Sequence, residues 1–268
     1  MQKLQFYQVD AFTDRLFSGN PAGVCILDTW LSDKIMQSIA NENNLAETAF
    51  VVPSGDDFMI RWLTPAVEVD LCGHATLASA FVLFSLHHYP ESLIKFHSRN
   101  SGLLQVVRNE DLLILDFPAD RLELCEGGII HATEEAIGAT PLEMYRGKSD
   151  YLAVVDSEST VRDMKPDFEK ISRLDSRGLI VTSRGDSVDF VSRFFAPNVG
   201  INEDPVTGSA HTSLIPLWSE KLGKKELVVL QLSERGGRLF CELKNDRCHI
   251  GGNARLYLKG EIYLPPQE

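Results

Sequence analysis

Three short stretches of this chain hold the residues that could move a proton or grip an anion. Glu47 stands between Ala46 and the apolar run Ala49-Phe50-Val51-Val52, a lone carboxylate in apolar company. Desolvation at such a place raises a carboxyl pKa toward the range in which proton transfer is efficient. The competing reading is an exposed turn residue. Gly73-His74 and Asp204-Pro205-Val206-Thr207-Gly208-Ser209 each lead into an apolar segment. A glycine that opens a helix leaves N–H groups and the positive end of the helix dipole accessible, so Gly73, Gly208 and Ser209 are candidates for holding a carboxylate. Either glycine alone reads first as a tight turn feeding a helix, and it is their pairing that weakens this reading. His74 at a helix start is commonly a hydrogen-bonded cap, and Asp204 before proline is commonly a turn former.

The elements that must position these residues come next. From Gly73 to Leu86 the chain carries no acidic or basic side chain apart from His74. A helix without a polar stripe cannot lie on a surface, so residues 74–87 are expected to be wrapped on all sides. The same design returns in the second half. Arg61-Trp62-Leu63-Thr64-Pro65 before Gly73 is matched by Arg193-Phe194-Phe195-Ala196-Pro197 before Gly208, and the later stretch leads into the apolar Leu214-Ile215-Pro216-Leu217-Trp218. With the halves laid over each other, Gly55-Asp56 meets Gly185-Asp186 and Glu47 meets Arg177. This is an internal duplication rather than a solenoid repeat.

Leu31, Ile35, Met36 and Ile39 share one helical face, with Ser32 as N-cap and Asn43-Asn44 as stop. Ser18-Gly19-Asn20-Pro21-Ala22-Gly23 reads as a dense turn, Asp167 to Leu174 as a short helix, and 226–263 as short strands separated by Gly236-Gly237, Asn245-Asp246 and Gly251-Gly252. Short strands plus one all-apolar helix in each half predict an α+β chain of two pseudo-symmetric domains. Each would be a curved, mostly antiparallel sheet or barrel wrapped around a central buried helix. The expected domains are 1–112 and 113–268, with the last strand free to return to the first, and the cleft between them is the default site.

Composition excludes several classes of function. With 26 Lys and Arg against 38 Asp and Glu, the formal charge is -12, and such a chain repels a phosphate backbone. Nucleic acid is therefore not an expected partner. No run approaches the ~18 apolar residues of a membrane span, and the start reads as a strand, so a cytoplasmic protein with no membrane partner is expected. The five cysteines, Cys25, Cys72, Cys125, Cys241 and Cys248, are widely spaced without a C-x-x-C pair. Neither a disulfide framework nor a metal is predicted. Cys248-His249 lies in a short strand pattern and is read as structural, as are His87, His88, His97 and His131. The absence of a phosphate-loop motif or ligand cluster leaves no cofactor to expect.

At Asn44-Leu45-Ala46-Glu47-Thr48, Gly73-His74-Ala75-Thr76 and Asp204 to Ala210, with Gly19-Asn20-Pro21-Ala22-Gly23 upstream, the chain resembles the PhzF-like family of phenazine biosynthesis. The resemblance implies the diaminopimelate epimerase fold, cofactor-independent acid–base isomerisation of a small carboxylate-bearing substrate, and a homodimer. It places Glu47 as the catalytic acid–base group, with His74 and Asp204 orienting it or relaying protons. Epimerases of this fold use two facing cysteines. Cys72 stands where the first would be, but the second motif has none, so a two-thiol racemase is not supported and Cys72 is read as packing. The alternatives are a one-base amino-acid epimerase and a non-catalytic protein-interaction module on the same fold.

Overall fold

The computed structural model describes residues 2–264. The chain divides into two compact units, Met1–Asp116 with Gly251–Glu268, and Phe117–Ile250. The first contains β1 (Gln2–Ala11), β2 (Asn20–Ile26), α1 (Asp33–Asn43), β3 (Glu47–Ser54), β4 (Asp57–Leu63), the short β5 (Glu68–Val69), α2 (Gly73–Ser85), β6 (Leu93–Ser98), β7 (Gly102–Asn109) and β8 (Leu112–Pro118). The second continues with β9 (Glu123–Leu124), α3 (Gly128–Ile137), β10 (Glu143–Arg146), β11 (Asp150–Val154), α4 (Glu158–Asp163), α5 (Phe168–Ser172), β12 (Gly178–Arg184) and β13 (Phe190–Phe195). It ends with α6 (His211–Leu222), β14 (Glu226–Gln231), β15 (Gly237–Lys244) and β16 (Arg247–Gly252). The last strand, β17 (Ala254–Leu264), returns to the first unit and pairs antiparallel with β1.

The duplication is written into the pairing scheme. In the first unit β1 and β2 are antiparallel, β2 and β3 parallel, β3 and β4 antiparallel, β4 and β6 parallel, and β6 and β7 antiparallel. The second unit repeats this order through β10, β11, β12, β13, β14 and β15. A parallel pair needs a crossover. In both units helices supply it: α1 between β2 and β3, α2 between β4 and β6, α4 with α5 between β11 and β12, and α6 between β13 and β14.

The two long crossovers are the helices that the sequence leaves without a polar face. In α2, His74 to Ala80, Val82, Leu83 and Phe84 are all buried, and the helix packs against β1, β2, β3, β7 and β17. Burying each of its larger apolar side chains contributes roughly 1.5–3 kcal/mol. In α6, Leu214, Ile215, Leu217 and Trp218 are buried. Trp218 stacks on Phe190 at 5.6 Å between ring centroids and donates its indole N–H to Thr182 Oγ1 at 3.0 Å, which satisfies its buried polar atom. Strands touched on both faces, β3 and β13, are apolar throughout their first six residues except for Glu47, Thr48, Ser192 and Arg193, whereas β4 and β6 alternate with a period of two. The opposite face of β3 is covered by α1, whose Met36 and Ile39 join Phe50, Val52 and Leu31 in one core cluster. That helix starts as expected, with Ser32 Oγ accepting from Ile35 N, and stops at Asn44 in the left-handed region.

Three local expectations are corrected. The predicted turn at 18–23 ends early, because β2 begins at Asn20 and pairs with both β1 and β3. Gly23 is a strand glycine, where an added Cβ would lie 2.8 Å from Thr48 Oγ1 and 3.0 Å from the Phe6 ring. Gly251-Gly252 is likewise strand and not a separator. Helix α6 begins at His211 rather than at Gly208, which sits with Ser209 in the tight turns that precede it.

Gly252 gives a stability prediction. A Cβ there would stand 2.4 Å from Phe12 Cδ1, and Phe12 is fully buried with a positive φ of 61°, so the ring has little room to yield. Gly252→Ala is expected to cost about 1–3 kcal/mol and lower the melting temperature measured by calorimetry. An unchanged melting temperature would mean that the ring moves aside freely.

Candidate active site

In the first unit, β3 and α2 bring Glu47 and His74 together. Glu47 is the first residue of β3, opposite Ala22 in the parallel register, and His74 is the second residue of α2. Their side chains meet with Glu47 Oε2 3.2 Å from His74 Nε2. Both residues are buried, Glu47 with 9% and His74 with 5% of its surface exposed. The exposed-turn reading of Glu47 is therefore wrong. Although close to the imidazole, Oε2 lies outside hydrogen-bonding geometry and has no hydrogen-bond partner among the described protein groups. A buried carboxylate oxygen whose lone pairs no protein donor occupies is costly, and such atoms concentrate where function needs them.

Two further side chains touch the imidazole. Asn20 Nδ2 lies 3.2 Å from His74 Nδ1, and Cys72 Sγ lies 3.5 Å from the same nitrogen. Asn20 sits at the start of β2, next to β3 in the sheet, so the strand that looked like a turn is what delivers it. Burial works against a charged imidazole, but the contacts with Cys72 and Glu47 outweigh it and raise the His74 pKa well above the usual histidine value. Cys72 is itself held as a neutral thiol, its pKa pushed up to about 11 by burial and then by the Glu47 charge. The carboxylate of Glu47 is thus the charge that retains the His74 proton. The pair is a buried acid and base in contact, with one proton available for transfer.

Helix α2 opens at Gly73, after Cys72 as N-cap. Cys72 makes no side-chain capping bond, in contrast to Ser32, Ser157 and Asp167, which cap α1, α4 and α5. Gly73 and Gly208 are not among the glycines with positive φ. Neither glycine is required by a left-handed backbone.

Asp204, Gly208 and Ser209 belong to the second unit. Asp204 follows β13, its N–H donating to Phe194 O at 3.1 Å, and its Oδ2 accepts from Thr207 Oγ1 at 2.5 Å. Gln231 locks this loop from β14: its Oε1 accepts from Thr207 N at 2.9 Å while Nε2 donates to Asp204 O at 2.8 Å. His211, at the start of α6, donates from Nδ1 to Thr207 O at 2.8 Å, and burial pushes its pKa down to about 4, so it stays neutral. Ser209 Oγ accepts from Arg177 Nη2 at 3.1 Å. Arg177 also engages both carboxylate oxygens of Asp150 and lies over the Phe194 ring.

The internal repeat gives Arg177 its meaning. Arg177 just before β12 corresponds to Glu47 at the start of β3, and Ser209 after Gly208 corresponds to His74 after Gly73. The contact Glu47–His74 of one unit has become Arg177–Ser209 in the other. Sequence reasoning aligned Arg177 with Glu47 but did not find Asn20, Asp150, Thr207 or Gln231, which are set by pairing across strands. The signal for Asn20 is its position just before Pro21, in a stretch that reads as a turn.

A sheet rolled about an apolar helix, built twice in one chain, is the diaminopimelate epimerase class of fold. A hydroxyproline epimerase of Agrobacterium vitis shares it with a TM-score of 0.62 at 11% identity, over 97% of this chain and 92% of that one, a likeness of fold alone. Within that class the chain belongs to the PhzC-PhzF family of phenazine biosynthesis-like proteins, which matches residues 9–260. An uncharacterized isomerase of Pseudomonas aeruginosa is 52% identical over 262 residues, covering 98% of this chain and 99% of that protein. The crystal structure of a PhzF-family protein from Enterococcus faecalis matches with a TM-score of 0.95 and 48% identity, over 98% of this chain and 100% of that one. No helix among the described residues is long and apolar enough to cross a membrane.

Proposed function

We propose that this protein is a cofactor-independent isomerase that moves a proton between carbons of a small carboxylate-bearing substrate, with Glu47 as the shuttle. The observation that carries this reading is the buried Glu47 carboxylate, in contact with His74 and with Oε2 unsatisfied by any donor among the described residues. A general base must reach the proton it takes, and an oxygen engaged by protein donors would be unavailable. His74, held protonated by Glu47, stabilises the ionised carboxylate at rest and returns a proton when Glu47 has taken one. Asp204, fixed by Thr207 and Gln231, is proposed as an orienting or relaying group, and a substrate-carboxylate site is proposed in each unit by itself, at Gly73 in the first and at Gly208 with Ser209 in the second. Likeness to relatives named as isomerases supports the reaction class, and the uncapped start of α2 supports the anion site. The working form is proposed to be a cytoplasmic homodimer.

The test is isotope exchange. The purified protein, dialysed against a strong chelator with no nucleotide, flavin or pyridoxal phosphate added, is incubated in deuterium oxide with a panel of cyclic, amino and hydroxy carboxylic acids. Mass spectrometry is expected to find deuterium on carbon in at least one of them. Migration of a double bond accompanying exchange supports the isomerase, whereas inversion at the carbon bearing the amine would replace it with a one-base epimerase. An absence of exchange throughout the panel, with a partner protein bound independently of Glu47, would turn the reading into that of an interaction module. Activity abolished by the chelator would overturn the cofactor-independent mechanism.

A further inference from the structure

The trio around the buried imidazole has a second chemical capability. Glu47, Cys72 and His74 each present one potential ligand atom, and these atoms lie within 4.8 Å of one another. Cys72 Sγ is 4.0 Å from His74 Nε2, and Nε2 is 3.2 Å from Glu47 Oε2. A zinc ion bound tetrahedrally at ~2.3 Å from sulfur and ~2.0–2.2 Å from nitrogen and oxygen sets ligand-to-ligand edges of roughly 3.4–3.6 Å. The Nε2–Oε2 separation falls slightly inside those edges and the Sγ–Nε2 separation outside them, and because Sγ stands nearer Nδ1, at 3.5 Å, Cys72 must rotate toward Nε2 for all three to bind. The unsatisfied Glu47 Oε2 is a further observation pointing the same way: it is buried, aimed at the imidazole, and has lone pairs that no donor among the described residues uses.

We propose that Glu47, Cys72 and His74 form an inhibitory site for a thiophilic divalent cation, zinc above all. One thiolate, one imidazole and one carboxylate suit zinc or cobalt and do not suit magnesium or calcium, which require oxygen ligands. Binding is a ligand exchange without redox change. Cys72 loses its thiol proton and His74 its Nε2 proton, both to the buffer, and Nε2 donates the freed lone pair to the metal. Nδ1 keeps the remaining proton. Asn20, 3.2 Å from Nδ1, can then turn its amide so that Oδ1 accepts from Nδ1–H and fixes the ring in the metal-binding tautomer. The cation therefore occupies both the carboxylate oxygen and the imidazole nitrogen that the proposed proton transfer needs. Binding there would stop the proposed proton transfer without any change of fold. The inhibition, though not the binding, rests on the isomerase reading.

The probe is cobalt(II), added to the full-length, chelator-stripped protein without substrate. A near-ultraviolet thiolate-to-cobalt charge-transfer band and the visible bands of tetrahedral cobalt are expected, saturating at one equivalent and removed by excess zinc. Cys72→Ser, which keeps the size of the side chain, is expected to abolish the charge-transfer band, while Cys125→Ser, altering the partly exposed thiol, leaves it intact. Asn20→Ala is expected to weaken cobalt affinity roughly 10–100-fold with the band shape preserved, the usual cost of losing a group that orients a metal ligand. Thermal melts confirm that each variant is folded. The site is overturned by a band that survives Cys72→Ser, or by a wild type that shows none in large cobalt excess. Once a substrate is in hand, zinc is expected to stop isotope exchange and chelator to restore it. Exchange insensitive to zinc, with the cobalt spectrum present, would overturn the inhibitory role alone, and failure of the cobalt arm would leave the isomerase reading standing.

Discussion

Glu47→Gln is expected to fold normally and to lose turnover by about 10²- to 10⁴-fold, the usual worth of a general acid–base group. The amide is nearly the same shape as the carboxylate, so the start of β3 and the packing of α2 have no reason to change. Two things do change. The carboxylate that accepts the proton from carbon is gone, and the charge that retains the His74 proton disappears. With that charge gone, burial governs the imidazole and its pKa falls. The variant's amide can also donate to His74 Nε2, which settles the ring as a neutral acceptor. The loss is therefore expected in the exchange rate of bound substrate and not in substrate affinity. A melting curve equal to that of the wild type, together with an exchange rate reduced at saturating substrate, is the supporting result. Retention of most of the wild-type rate would remove Glu47 as the shuttle.

The parts of this architecture that sequence reveals are those that local chemistry determines. Helix α1 is legible because Ser32 must cap it, its apolar residues share one face, and Asn44 tolerates the left-handed stop. Helix α2 announces its burial by having no polar stripe, and the duplication is visible because each central helix is preceded by a similar glycine-bearing stretch, with Gly73 opening α2 and Gly208 in the turns before α6. What stays hidden is set by distant contacts. Gly23 and Gly252 look like turn residues, but their small size answers to Thr48 with Phe6 in one case and to Phe12 in the other. Asn20 reaches His74, and Gln231 reaches the loop of Asp204, only because strands remote in sequence are paired. Cys72 before a helix reads as a packing residue, and it is buried, yet its neighbour through space is an imidazole rather than an apolar side chain. The proposed metal-ligand trio follows from that contact together with the one between His74 and Glu47, and has no spacing signature in the chain.

Alanine at Gly73 or at Gly208 is expected to weaken substrate binding by an order of magnitude or more while leaving stability unchanged or slightly raised. A glycine at a helix start has two common reasons to be there. If its φ were positive, alanine would be strained and the protein destabilised; neither residue is among the glycines with positive φ. In a compatible conformation, exchanging glycine for alanine restricts the unfolded chain and stabilises the fold by about 0.4–1 kcal/mol. The second reason is close approach, in which a ligand anion comes to the backbone N–H groups and any Cβ stands in its way. The start of α2 fits this reason, because Cys72 offers no side-chain cap to its first N–H groups. At Gly208 the same exchange also probes the turn that carries Ser209, whose hydroxyl is held by Arg177. Each variant should be examined by calorimetry for stability and by titration with the acid identified in the isotope-exchange panel for affinity. Weaker binding with an undiminished melting temperature assigns the glycine to the ligand. Unchanged affinity with a lowered melting temperature in both variants would return Gly73 and Gly208 to a purely structural role and remove the backbone carboxylate site from the proposed mechanism.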